Sequence, residues 1–142
     1  MDMASKVLLI VVVLTVGCSA RVPKPGGGRL EWQPELDQPI RQLREVLEAT
    51  EPQQHRNYTS SNLGFVLDAK LYLLFHRYAD GLDSDARMHA IDEQGRWLEK
   101  RRAATSAASD RYRGGSLASY AGNTAFIEAT QDRIAEIESR MP

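Results

Sequence analysis

From Leu30 onward the large apolar residues recur almost everywhere at three or four positions, with no sustained alternation in steps of two, a spacing that favours helices over sheet. Leu36, Ile40, Leu43 and Val46-Leu47 form a first short stripe, bounded by Pro39 and Pro52. A polar loop is expected next, up to Ser60-Ser61. These serines offer an N-cap to a second segment with Leu63, Val66-Leu67, Lys70-Leu71, Leu74-Phe75 and Tyr78, stopping near Gly81. Asp83 or Ser84 caps a third, whose face is marked by Met88, Ile91, Gly95, Leu98 and Thr105 and which runs to about Ala108. Gly114-Gly115-Ser116 then breaks the chain and caps a fourth, where Leu117, Tyr120, Thr124, Ile127, Ile134, Ile137 and Met141 recur. The pattern predicts an all-α fold: a small bundle of three long helices plus a short N-terminal helix.

Ahead of this domain the composition changes twice. Lys6 precedes Val7 to Val16, a run with one hydroxyl as its only polar group. As a helix it would cover about 15 Å, half of the ~30 Å hydrocarbon layer, so a secretory core fits better than a membrane span. Thr15-Val16-Gly17-Cys18 follows and resembles the lipobox of bacterial lipoproteins, in which the cysteine is acylated and becomes the new N-terminus. Cys18 is the single cysteine of the chain, so it has no disulfide partner within it. Residues 1–17 are therefore expected to be a lipoprotein signal peptide.

Residues 18–29 read as the lipidated cysteine and a flexible tether, with Pro23, Pro25 and Gly26-Gly27-Gly28 and almost nothing apolar to bury. Residues 30–142 are the single helical domain. Ser19 is not the aspartate that resembles an inner-membrane retention signal in enteric-type sorting. The expected location is thus the outer membrane facing the periplasm, if the source is Gram-negative, with the N-terminal lipid as the membrane contact.

Charge and chemistry narrow the function. The net charge is −1, and it stays there when Asp2 and Lys6 leave with the signal, so no global field favours nucleic acid. His55, His76 and His89 include no pair at zinc-ligand spacing on one helix, and no metal or cofactor is expected. Asp80-Gly81-Leu82-Asp83-Ser84-Asp85 has the look of a calcium loop, but its twelfth position is Ile91 counted from Asp80 and Gln94 counted from Asp83, not glutamate. A helix stop followed by a helix cap is the plainer reading. No nucleophile elbow and no phosphate-cradling glycine loop is present, and no catalytic residue is assigned. Arg96, Lys100, Arg101, Arg102, Arg111 and Arg113 cluster, opposed by Glu99 and Asp110. They are either a solvated helix face or a site for an anionic partner, and Glu128, Asp132, Glu136 and Glu138 are placed to neutralise them from the last helix.

Gln94-Gly95-Arg96-Trp97-Leu98-Glu99-Lys100-Arg101 is similar to a Q-x-x-W-L-x-x-R signature. Gly114-Gly115-Ser116 resembles a G-G-S element, Thr130 to Ile137 with Arg133 a T-x-x-R-x-x-E-L element, and Leu63 to Tyr78 with Asp68 and Leu71 the opening segment of the same family. The family is that of LprI-type domains, found in small bacterial envelope proteins and named for a lysozyme-inhibiting lipoprotein. Thr105 and Ala125 stand where the family usually carries a cysteine pair, and Arg102 stands where an aspartate commonly follows the arginine.

The resemblance implies a binding protein that blocks lysozyme or another wall-active hydrolase rather than an enzyme. The alternative is a structural or assembly lipoprotein of the envelope without inhibitory activity. For the motif set Asp68, Leu71, Gln94, Trp97, Leu98, Arg101, Gly114, Gly115, Thr130 and Arg133, a structural role is the simplest reading. Trp97, Leu98 and Leu71 are then core, Arg101 and Arg133 bracket a buried carboxylate such as Asp68, and Gly115 holds a turn at positive φ.

Overall fold

The computed structural model describes residues 34–141. Cys18, the signal and the tether lie outside the described residues. Four helices follow in order: α1 (Asp37–Ala49), α2 (Gln53–Asp80), α3 (Ser84–Asp110) and α4 (Ala118–Arg140). No strand occurs among the described residues, so this is the small all-α bundle the periodicity predicts. α4 packs along both α2 and α3, α1 packs on α2, and α2 meets α3 only sparsely.

The core lies mainly between α2 and α4. Leu63, Leu67, Leu71 and Leu74 recur at helical spacing on α2 and meet Ile127, Ile134 and Ile137 on α4, with Ile40 of α1 added at one side. Leu71 and Ile137 are fully enclosed. Burying a leucine or isoleucine stabilises by about 1.5–3 kcal/mol, so these eight side chains supply the principal driving force. The compact unit from Pro34 onward contains this whole core.

Three sequence expectations change. First, α2 begins at Gln53 rather than near Ser61, and the expected polar loop is its first two turns. The reason is tertiary: Ser60 is fully buried against α4, donating to Asn57 O at 3.1 Å and accepting from Asn123 Nδ2 at 2.9 Å. Asn123 Nδ2 also donates to Asn57 O at 3.1 Å. A segment too polar to nucleate on its own is thus held helical by hydrogen bonds across the bundle.

Second, the buried face of α3 is not the expected one. Met88, Ile91 and Leu98 are 60, 53 and 40% exposed, and Gly95 faces open space. Ala90, Gln94 and Arg101 are buried in their place, with Trp97 half-buried among them. Third, the positive φ falls on Gly114, at 83°, not on Gly115. Gly114 therefore takes the left-handed step that turns the chain from α3 to α4. Asp83 does cap α3, its side chain accepting from Ala86 N at 2.9 Å.

Gly122 sets the separation of α3 and α4. A Cβ there would collide with Ser109 Oγ, whose hydroxyl donates to Ala118 O at 2.9 Å, and would sit 3.5 Å from Thr105 O. The absent side chain lets the two backbones approach.

Candidate functional site

Because α3 turns its polar stripe inward, the seam it forms with α2 and α4 is filled by long charged side chains. Arg101 is 9% exposed; its Nη1 donates to Asp68 Oδ1 on α2 at 2.6 Å and to Thr130 Oγ1 on α4 at 3.0 Å. The Thr130 hydroxyl in turn donates to Phe126 O at 2.6 Å. The Arg101 guanidinium lies 4.1 Å from the Phe126 ring centroid and 4.8 Å from that of Trp97. One cation thus joins three helices, stacked on two aromatic faces.

One to two turns toward the α2–α3 connection, Arg133 of α4 repeats the device. Its Nε donates to Gln94 Oε1 at 2.9 Å, and its Nη1 reaches Glu93 Oε1 and Glu136 Oε2, both at 2.7 Å. Arg140 closes the group, donating twice to Glu93 at 3.0 Å and also to Glu136. Hydrogen bonds from Arg140 and then Arg133 pull the Glu93 carboxyl down to about 2, against partial desolvation. The Arg140 guanidinium is correspondingly harder to deprotonate, chiefly through Glu93.

Six of the motif residues therefore meet in one seam: Asp68, Gln94, Trp97, Arg101, Thr130 and Arg133. They come from segments more than sixty positions apart in sequence. Leu71 is in the adjoining core, whereas Leu98 points outward and Gly114 and Gly115 form the exposed α3–α4 turn. Asp68 is not the buried carboxylate bracketed by two arginines. Its side chain is 47% exposed, it pairs with Arg101, and Arg133 turns to Glu93 and Glu136. Two of the four α4 acids turn away from the basic cluster: Glu136 pairs with Arg133 and Arg140, and Glu138 with Lys70. Arg101 leaves the cluster for the interior, while Arg96, Lys100 and Arg102 stay exposed.

Thr105 and Ala125 lie on facing helices. Thr105 O comes within 3.5 Å of where a Cβ on Gly122 would stand, three residues before Ala125 in α4. Thr105 Oγ1 is buried with no hydrogen-bond partner. Thr105, Leu98, Arg101, Arg102 and Phe126 line a shallow groove of about 450 Å³.

Glu93, Phe126 and Arg140 are the members of this seam that the motifs do not mark. Their signal lies in phase: Gln94, Trp97, Arg101 and Thr105 recur at helical spacing on α3, and Glu136 and Arg140 are one turn apart on α4. Among the described residues no cluster of histidine, cysteine or carboxylate side chains is placed to hold a metal ion. None of their helices is long and apolar enough to cross a membrane. No family model, no curated protein and no solved structure matches the chain.

Proposed function

We propose that the protein is a cell-envelope lipoprotein whose helical unit is an LprI-type binding domain that inhibits a lysozyme-type wall hydrolase. The observation that carries the reading is the convergence of Asp68, Gln94, Trp97, Arg101, Thr130 and Arg133 on one seam. Residues that make up a shared signature because they brace one fold should touch one another. In this reading Cys18 carries the lipid, residues 18–29 are the lipidated cysteine and tether, and, in a Gram-negative source, the domain faces the periplasm from the outer membrane.

With its motif side chains committed to internal bonds, the domain recognises its partner through other surfaces. The helical unit, residues 30–142, carries 14 Lys+Arg against 18 Asp+Glu, a net charge of −4, so its association with a basic hydrolase is modestly steered and weakens as salt rises. The test is hydrolysis of cell walls by lysozyme with and without the unit from Leu30 onward. Inhibition at micromolar concentration supports the reading. No effect at large excess of folded domain refutes it and leaves an assembly lipoprotein. Anchoring is tested separately: labelled palmitate enters the wild-type chain and not Cys18→Ser. Equal labelling of both rules out lipidation at this cysteine.

A further inference from the structure

Residues 94–117 differ in charge from the chain on either side of them. They carry six Lys+Arg against Glu99 and Asp110, whereas the rest of the helical unit, residues 30–93 and 118–142, carries eight Lys+Arg against sixteen Asp+Glu. The unit is thus polarised, with a basic ridge on an acidic body. Arg101 turns inward to Asp68, but Arg96, Lys100, Arg102, Arg111 and Arg113 are all exposed. Of these, only Arg113 has a carboxylate partner among the described residues, Asp110 at 2.8 Å, and both of those side chains are more than half exposed. Such a pair contributes little and exchanges readily for another carboxylate.

The ridge ends in the α3–α4 turn. Asp110 to Leu117 are eight consecutive exposed residues, the longest such run among those described, and Tyr112 and Leu117 within it are 47 and 44% exposed. The turn is nevertheless held in one shape. Gly115 N donates to Tyr112 O at 2.8 Å, Gly114 takes the positive φ, and Asn57 Nδ2 of α2 donates to Ser116 O at 3.2 Å. Behind the turn, Arg96, Lys100 and Arg111 follow one another along one flank of α3 at steps of four and eleven, and Arg102 lies on the other flank, so cations border the ridge on both sides.

We propose that this turn and the α3 ridge behind it are the inhibitory surface, seated in the substrate cleft of a basic polysaccharide hydrolase; the assignment rests on the inhibitor reading of the domain. A glycoside hydrolase keeps two carboxyl groups in its cleft, about 5–9.5 Å apart, so the cleft is acidic even where the rest of the enzyme is basic. The polarity of the helical unit is the complement of that arrangement. Arg111 and Arg113 meet the cleft carboxylates while the acidic body faces the basic surround. A turn that is already ordered loses little entropy on docking, and Tyr112 between two guanidinium groups is the kind of aromatic anchor that carries binding energy. An anionic membrane would attract the ridge but repel the body, which favours the hydrolase as the occupant.

The test titrates the full chain, in a neutral detergent, into lysozyme acting on cell walls. Arg111→Glu with Arg113→Glu is expected to raise the inhibition constant roughly tenfold or more, and Lys100→Glu with Arg102→Glu to raise it in the same direction, with helical circular dichroism unchanged because all four side chains are exposed. Arg41→Glu with Arg44→Glu on α1 changes the net charge equally at exposed residues outside the ridge, and should raise it less than about threefold. N-acetylglucosamine oligomers, which fill the cleft, should elute lysozyme from the immobilised chain. A wild-type chain that inhibits while the turn variants inhibit as well, an equal loss from the α1 pair, or lysozyme that the oligomers do not elute overturns the proposed surface and leaves the inhibitor reading standing. A wild-type chain that does not inhibit removes that reading, and the surface with it. Turn variants that keep inhibition but lose affinity for phosphatidylglycerol vesicles, measured in a Cys18→Ser background, assign the ridge to a membrane and overturn the proposal.

Discussion

Replacing Glu93 by glutamine tests the seam through its pH dependence. In the folded chain the Glu93 carboxyl is held at about 2, against 4.5 for a free glutamate, first by Arg140 and then by Arg133. At about 1.4 kcal/mol per unit, the whole displacement corresponds to about 3 kcal/mol of native-state stability. The side chain is 38% exposed, and solvent screening of such a carboxylate reduces this to about 1 kcal/mol.

Because the folded value lies below the unfolded one, the contribution is complete above pH 4.5. It is lost as pH falls through the window from 4.5 to 2. Glu93→Gln should therefore lower stability by about 1 kcal/mol at pH 7, while Arg133 keeps Glu136 and Gln94 and so is not left as a bare buried charge. The difference from wild type should shrink across that window and vanish only below pH 2, where the Glu93 carboxyl is protonated in the folded chain as well. Urea unfolding of the two proteins at a series of pH values measures it. Other carboxylates titrate in both and largely cancel. A difference that stays constant from pH 7 to 2 would refute the assignment of the ion pairs.

Two further substitutions probe the same packing. Arg101→Lys should cost about 2 kcal/mol, because an ammonium cannot stack flat on Phe126 and Trp97 while bridging Asp68 and Thr130, and Arg101→Ala somewhat more; equal stability of Arg and Lys by urea titration would contradict the bridging role. Gly122→Ala should destabilise by about 1 kcal/mol, overpacking against Ser109 outweighing the gain in helix propensity. In a Ser109→Ala background the same change should turn neutral or stabilising. A thermal shift of the same sign and size in both backgrounds would show that Ser109 is not the obstacle.

Much of the fold was legible in the chain because it depends on local rules. Helical spacing without alternation gave the class, Asp83 the start of α3, and the Gly114-Gly115 pair the break before α4. The core of α2 and α4 was legible for the same reason: leucine and isoleucine at steps of three and four have one way to leave water. The motif segments likewise pointed to the seam residues, but not to how they pair.

The phase of α3 was beyond local reading. Its apolar residues Met88, Ile91 and Leu98 mark one face, yet Gln94 and Arg101 are the ones buried. A long polar side chain goes inward only where another element brings it a partner. Asp68 lies thirty-three positions from Arg101, and Arg133 thirty-nine from Gln94. The same holds for the first turns of α2, helical because Asn123 meets Ser60 and Asn57 across the bundle. Sequence periodicity set which segments are helices. Satisfying buried charge and hydrogen bonds between distant segments, which only the assembled bundle can do, decided which faces turn inward.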